Sequence, residues 1–195
     1  MKLVAFNGSP RAGGNTEALL EAVLEPVKQA GIETEMIQIG GKGIRGCLGC
    51  YTCTKRKDRK CSQKSDMLNE CIEKVIAADG LLLGSPTYFS DVTADMKAFI
   101  DRVGFVTRTN GNLLRRKVGA AVMAVRRGGA IHALDTMTHM FQICGMVVPG
   151  STYWNMVYGL EPRAVLSDAE GMANMRDLGE NIAWLMRALE ASRSR

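Results

Sequence analysis

Residues 2–29 read K-L-V-A-F-N-G-S-P-R-A-G-G-N-T-E-A-L-L-E-A-V-L-E-P-V-K-Q. The order of residue types in this stretch decides what kind of domain follows. Lys2–Asn7 is an apolar run of strand length, and residues 8–16 are rich in Gly, Ser and Asn. Leu19, Leu20, Val23, Leu24 and Val27 then recur at helical spacing. Asn15 or Thr16 is placed to cap this helix, Gly31 to stop it, and Pro26 falls in its last turns. A strand, a glycine-rich loop and a helix in that order gather backbone N–H groups and a helix N-terminus at one point, which suits a phosphate. The loop contains neither G-x-x-x-x-G-K-[ST] nor G-x-G-x-x-G, so it is neither a nucleoside triphosphatase loop nor a dinucleotide fingerprint. Ser9, Arg11, Asn15 and Thr16, with Gly14 among them, form a candidate phosphate nest. The same residue types also build a tight turn with a helix cap.

The alternation continues along the chain. Residues 33–39 alternate polar with apolar and predict a second strand. Asp66 can cap a helix over 67–78 with Leu68, Cys71, Ile72, Val75 and Ile76 on one face. Residues 80–85 and 117–125 are continuous apolar runs of the kind buried inside a parallel sheet. The segments 94–103, 132–144 and 168–193 carry helical patterns, and 146–148, closed by Pro149 and Gly150, predicts a short fifth strand. Residues 151–167 read as a loop carrying Tyr153, Trp154 and Tyr158. No repeat, low-complexity tract or linker interrupts the pattern, which predicts one α/β domain over 1–195: a five-stranded parallel sheet, helices on both faces, strand order 2-1-3-4-5. Ligands of such sheets sit beyond the carboxyl ends of the strands where the order reverses. The loops there are 8–16, 85–91 and 126–130.

Between the second strand and the next helix, residues 47–61 read C-L-G-C-Y-T-C-T-K-R-K-D-R-K-C. Cys47, Cys50, Cys53 and Cys61 place four thiols within one loop, and the two successive x2 gaps turn the first three sulfurs toward a common centre. The spacing admits a cubane iron–sulfur cluster held by four thiolates, a zinc ion, or unliganded thiols. Lys55, Arg56, Lys57, Arg59 and Lys60 fill the x7 gap, either as a solvated face or as a docking patch for an acidic partner. Cys71 and Cys144 fall in helical patterns as free buried thiols. His132 and His139 have no nucleophile to pair with and receive no role.

The composition, 46% hydrophobic and 23% charged over 195 residues, is that of a globular domain. The net charge of +5 lacks the aromatic-interleaved basic stripe of a nucleic-acid binder. The first residues are too soon broken by Gly and Pro for a signal peptide, and no apolar run approaches the roughly 20 residues of a spanning helix. These features predict a cytoplasmic protein with neither nucleic-acid nor membrane partners. Six cysteines in that compartment point to metal or redox work rather than disulfides.

G-S-P-R-A-G-G-N-T after the first strand and G-S-P-T-Y-F-S-D-V-T-A-D-M-K-A-F-I-D-R after the third resemble the flavin-binding segments of the flavodoxin-like NAD(P)H-dependent FMN reductases. With C-x2-C-x2-C-x7-C between them, the chain is similar to the iron–sulfur flavoprotein subgroup over roughly residues 1–150. The resemblance implies a flavodoxin-like three-layer sandwich binding FMN, with the phosphate on Ser9, Arg11, Gly14, Asn15 and Thr16. It sets Pro86, Thr87, Tyr88 and Phe89 against the isoalloxazine, and Arg126, Arg127, Gly128 and Gly129 in a third flavin-contacting loop. It implies a [4Fe–4S] cluster on Cys47, Cys50, Cys53 and Cys61. It also implies a ferredoxin-like or NAD(P)H electron donor, a small-molecule acceptor and a homodimer or homotetramer. Redox chemistry at a flavin N5 needs no side-chain acid or base. Tyr153, Trp154 and Tyr158 either close the site or are structural. A cluster-free NAD(P)H-dependent FMN or quinone reductase, and a thiol- or metal-based redox sensor, are the competing functions.

Overall fold

The computed structural model describes residues 1–193; residues 194 and 195 of the domain expected over 1–195 lie outside the described residues. Three strands are buried almost throughout: β1 (Lys2–Asn7), β3 (Gly80–Pro86) and β4 (Val118–Val125). β2 (Glu33–Gln38) is only partly buried and lies at one edge. With β5 (Met156–Tyr158) at the other edge, they form one parallel sheet in the order β2-β1-β3-β4-β5. This is the expected topology. The chain moves outward from β1 to β2 and then crosses back to β3, so the order reverses between β1 and β3.

Successive side chains on a strand point to opposite faces, and the sheet divides its core accordingly. Leu3, Ala5, Leu82, Val118, Ala120 and Val122 pack against Leu19, Leu20 and Val23 of α1 (Asn15–Gln29) and Met175, Leu178 and Ile182 of α6 (Ala169–Arg193). Val4, Phe6, Leu81, Leu83 and Met123 face the other layer. That layer holds α3 (Leu68–Ala77), α4 (Ala94–Thr109) and α5 (Ala130–Ile143), through Ile72, Phe99, Val103 and Phe141. A shorter helix, α2 (Thr52–Arg56), lies within the cysteine loop. Among the described residues no helix is long and apolar enough to cross a membrane.

The fifth strand is not where its apolar run predicts. Val147 makes an isolated bridge with Val118, its N–H donating to Lys117 O (2.9 Å) and its carbonyl accepting from Gly119 N (3.0 Å). Pro149, which has no N–H to donate, ends that pairing. The chain rejoins the sheet at the other end of β4, where Met123, Ala124 and Val125 pair with Met156, Val157 and Tyr158. A stretch read as loop therefore supplies the edge strand, and residues 164–167 form a 3-10 turn leading to α6. Cys71 and Cys144 are free and buried, as their patterns predict. Burial pushes the Cys71 thiol up to about 12 and raises that of Cys144, which keeps both in the unreactive protonated form.

Phe99 is fully buried and its ring lies 4.5 Å from that of Phe6. Phe99→Ala is expected to cost about 3–5 kcal/mol, a large share of the roughly 5–15 kcal/mol that holds a domain together. Urea unfolding of the variant should show a lower midpoint with an unchanged slope.

Candidate functional site

Three loops meet at the carboxyl ends of β1, β3 and β4. Gly8 N–H donates to Gly84 O (2.7 Å), and Asn7 Oδ1 accepts the Ser9 N–H (3.0 Å), which turns the chain sharply out of β1. Ser9 Oγ then accepts the Arg11 N–H (3.2 Å). The loop after β2 presses on this turn: a Cβ on Gly40 would stand 2.3 Å from the Ser9 carbonyl, so only glycine fits. α1 opens after Gly14 with no side chain accepting from its first-turn N–H groups, contrary to the capping role expected of Asn15 or Thr16. The Thr16 hydroxyl is buried without a partner, as is the Asn7 amide nitrogen. An uncapped helix N-terminus beside an unsatisfied buried hydroxyl is what a phosphate would complete.

Ser9, Arg11, Gly14, Asn15 and Thr16 line one cavity of about 190 Å³ with Pro86, Thr87, Tyr88, Ala124 and Arg126. The side chain of Asn15, however, is bound to another segment: Nδ2 donates to Glu161 O (3.0 Å) and Oδ1 accepts the Val165 N–H (3.3 Å). Asn15 thereby holds residues 159–165 against α1, and Gly159, Leu160 and Pro162 supply a fourth wall. The sequence gives no periodic signal for that wall. Phe89 does not line the cavity. It is fully exposed at the tip of a two-residue turn, with Phe89 (φ 48°) and Ser90 (φ 63°) both left-handed. The turn is closed by reciprocal backbone bonds between Tyr88 and Asp91 (2.8 and 3.0 Å). Arg127, Gly128 and Gly129 are exposed and lie outside the lining, so Arg126 alone of that loop reaches the cavity. Tyr153, Trp154 and Tyr158 border a separate cavity of about 410 Å³ over β5 and α6.

The second constellation is the cysteine loop. Cys47, Cys50, Cys53 and Cys61 line one small cavity of about 20 Å³, walled by Leu48, Tyr51, Phe105 and Val106. Cys53 and Cys61 are buried, whereas Cys47 and Cys50 are exposed. Gly49 and Tyr51 are left-handed, which bends the chain between these cysteines, and the Tyr51 ring stands edge-on to Phe105 at 5.6 Å. Hydrogen bonds from Ser62 (3.2 Å) and Thr52 pull the Cys50 thiol down to about 7. Among the described residues no three Cys, His, Asp or Glu side chains close around a single metal ion. One zinc ion, with Zn–S bonds of about 2.3 Å, would need its sulfurs within roughly 4 Å of one another. A four-iron cube uses the same four thiolates around a wider body. Four thiols bordering one cavity are the donor set that such a cluster would take.

α4 holds both constellations. Its N-cap, Thr93, donates its hydroxyl to Gly8 O (2.8 Å) and accepts the Met96 N–H (3.3 Å). Two residues on, Asp95 accepts from Gly41 N (2.7 Å) and Ile44 N (2.8 Å). Further along, Arg102 is buried and forms a two-point ion pair with Asp66, whose carboxylate also accepts the Arg45 and Leu68 N–H groups. Burial works against the Asp66 charge, but hydrogen bonds from Arg102, Arg45 and Leu68 outweigh it and hold its pKa below the ordinary carboxylate value. Burial likewise opposes the charge of Arg102, while Asp66 and Cys61 raise its pKa. Sequence patterning reads Asp66 only as a helix cap. The missed signal is a lone arginine beside Phe99 and Val103 on the apolar stripe of α4, where a charge needs a partner.

A depressed carboxyl stabilises the fold above its unfolded pKa, near 4, and that contribution is lost as pH falls through the folded value. Wild-type protein should therefore lose stability as pH drops below about 4. Asp66→Asn should be less stable at neutral pH and show a flatter acid limb, read from urea midpoints across that range.

Residues 1–161 match the family model described as NADPH-dependent FMN reductase. An iron–sulfur flavoprotein of Methanocaldococcus jannaschii is 34% identical over 97% of this chain and 100% of its own length. A protein named iron–sulfur flavoprotein from Methanosarcina thermophila is 29% identical, with both chains covered in full. Among solved structures, RosB with a bound 8-demethyl-8-formylriboflavin-5'-phosphate intermediate superposes with a TM-score of 0.79 at 20% identity, over 98% of this chain and 81% of that one.

Proposed function

Because the chain belongs to the NADPH-dependent FMN reductase family, whose shared fold and loops place it among flavoprotein oxidoreductases, we propose that it is an iron–sulfur flavoprotein in which electrons pass between a [4Fe–4S] cluster and FMN. The observation that carries this reading is α4. Its N-cap Thr93 binds the phosphate loop and its Arg102 binds the cysteine loop, nine residues or about 14 Å along one helix. When bound, the flavin supplies one- and two-electron chemistry and the cluster one-electron chemistry.

The residues of the chain bind and orient. The N–H groups that open α1, the Ser9 and Thr16 hydroxyls and the Arg11 guanidinium take the FMN phosphate. Pro86, Thr87 and Tyr88 wall the ring, with Arg126 on its rim. Asn15 acts at one remove, by holding residues 159–165 as the fourth side of the cavity. Cys47, Cys50, Cys53 and Cys61 take the four irons. The names of the methanogen relatives support the cluster.

Part of the basic run is already engaged: Arg56 with Asp58, Lys57 with Thr109 O, and Lys60 with Glu73. Lys55 and Arg59 remain for electrostatic steering of an acidic, ferredoxin-like donor. NAD(P)H is the other donor class and a small molecule the acceptor. In this reading the protein is a cytoplasmic homodimer or homotetramer with no nucleic-acid or membrane partner. A specific observation favours the second reading, a cluster-free NAD(P)H-dependent FMN or quinone reductase: the Cys50 sulfur is already bonded to Ser62, and the cavity between the thiols is small.

Protein purified without oxygen should carry about four irons and four sulfides with one FMN per chain. FMN with no iron would establish the cluster-free reductase. Thr16→Val should weaken FMN binding by roughly tenfold, the loss of about one hydrogen bond to a charged group, measured by flavin fluorescence titration. Cys61→Ser should lower iron content and leave FMN binding unchanged.

A further inference from the structure

Cys61 is separated from the other three thiols by seven residues, and that gap holds the end of α2 and left-handed Lys57 and Arg59. Spacing alone does not fix where its sulfur stands. Two contacts do so. Asn69 Oδ1 accepts the Cys61 N–H (2.8 Å), and Arg102 Nε–H points at the Cys61 sulfur (3.4 Å). Arg102 is 1% exposed and is the largest fully buried side chain among the described residues. Its Nη1 donates to Arg45 O (2.9 Å) and to Asp66, and its Nη2 to Gln63 O (3.4 Å) and to Asp66 (3.2 Å). The two outer nitrogens thus bind the carboxylate and both flanks of the cysteine loop, while the Nε–H goes to sulfur. A lysine could pair with Asp66, but it lacks the rigid fork that presents a further N–H in a fixed direction.

Hydrogen bonds to ligand sulfurs and the net charge near a cluster set its potential. A donor that stabilises charge on sulfur favours the reduced, more negative form. We propose that Arg102 is a positioning residue for the fourth cluster ligand: it fixes the Cys61 sulfur at the cavity and, through its Nε–H, raises the potential of the bound cluster. The proposal rests on the cluster reading above and assigns the tuning to a side chain of the helix that also anchors the phosphate loop.

The test compares wild type, Arg102→Lys and Asp66→Asn, all purified without oxygen. Iron, sulfide and FMN are counted, and the cluster is titrated electrochemically with electron paramagnetic resonance as the readout. Arg102→Lys keeps the positive charge but removes the directed Nε–H. It is expected to lower the midpoint by about 59 mV, a tenfold change in a one-electron equilibrium, with FMN content unchanged. Asp66→Asn leaves the Arg102 Nε–H in the chain and removes a neighbouring negative charge, so its midpoint should rise. A purely structural role predicts no shift, or shifts of the same sign in both variants, and either result overturns the proposal. If Arg102→Lys does not fold, Asp66→Asn decides alone: a midpoint equal to or below that of wild type overturns the proposal. Wild type with FMN but no iron overturns the cluster reading and this role with it. A full cluster with unmoved potentials overturns this role only.

Discussion

A guanidinium taken out of water has to be matched on every side, and Arg102 meets that requirement by drawing four parts of one loop onto itself. The Asp66 carboxylate balances its charge, and Arg45 O, Gln63 O and the Cys61 sulfur take the remaining N–H directions. Losing either partner would leave a buried uncompensated charge, a penalty of roughly 3–5 kcal/mol. That penalty gives the loop its order, since the loop itself contains only one five-residue helix and several left-handed residues. A segment with so few internal hydrogen bonds would otherwise lose to the conformational entropy of its free chain.

The sheet supplies the other half of the architecture. Its buried strands deliver three loops to one end, and the reversal between β1 and β3 opens space there for a ligand. The loop after β1 is held at each turn by a neighbour: Gly8 N–H on Gly84 O, Gly40 N–H on Asn7 O, and the Thr93 hydroxyl on Gly8 O. The donors left over there include the N–H groups that open α1, the hydroxyl of Thr16 and the amide nitrogen of Asn7. Chemistry at this end is therefore a matter of unsatisfied donors held in fixed directions, a form of preorganisation.

What could be read from the sequence follows how strongly burial constrained each segment. β1, β3 and β4 are continuous apolar runs because both faces are covered, and such runs leave little choice of assignment. The glycine-rich loop and the four cysteines stand out by residue type and spacing, and each set borders one cavity. The edge was not: residues 146–148 look more like a strand than 156–158, and only Pro149 and the reach of β4 decide between them. The place of Asn15 was likewise hidden, because its two partners lie about 150 residues away at Glu161 and Val165. Phe89 follows Pro86, Thr87 and Tyr88, which all border the cavity, and only the hairpin geometry turns it outward. Arg102 went unread although it stands beside Phe99 and Val103 on an apolar stripe, and its partners come from a loop with no periodicity to place them.

α4 has a thermodynamic consequence of its own. Two binding events that each order a different end of the same rigid element share a free energy, and such coupling is reciprocal. Thr93 and Asp95 sit at the end that meets the phosphate loop, and Asp95 also accepts from Gly41 and Ile44 at the start of the cysteine segment. In this chain the two ends of α4 are held by different loops, so a substitution that loosens one loop is felt through the helix at the other, with no direct contact between them.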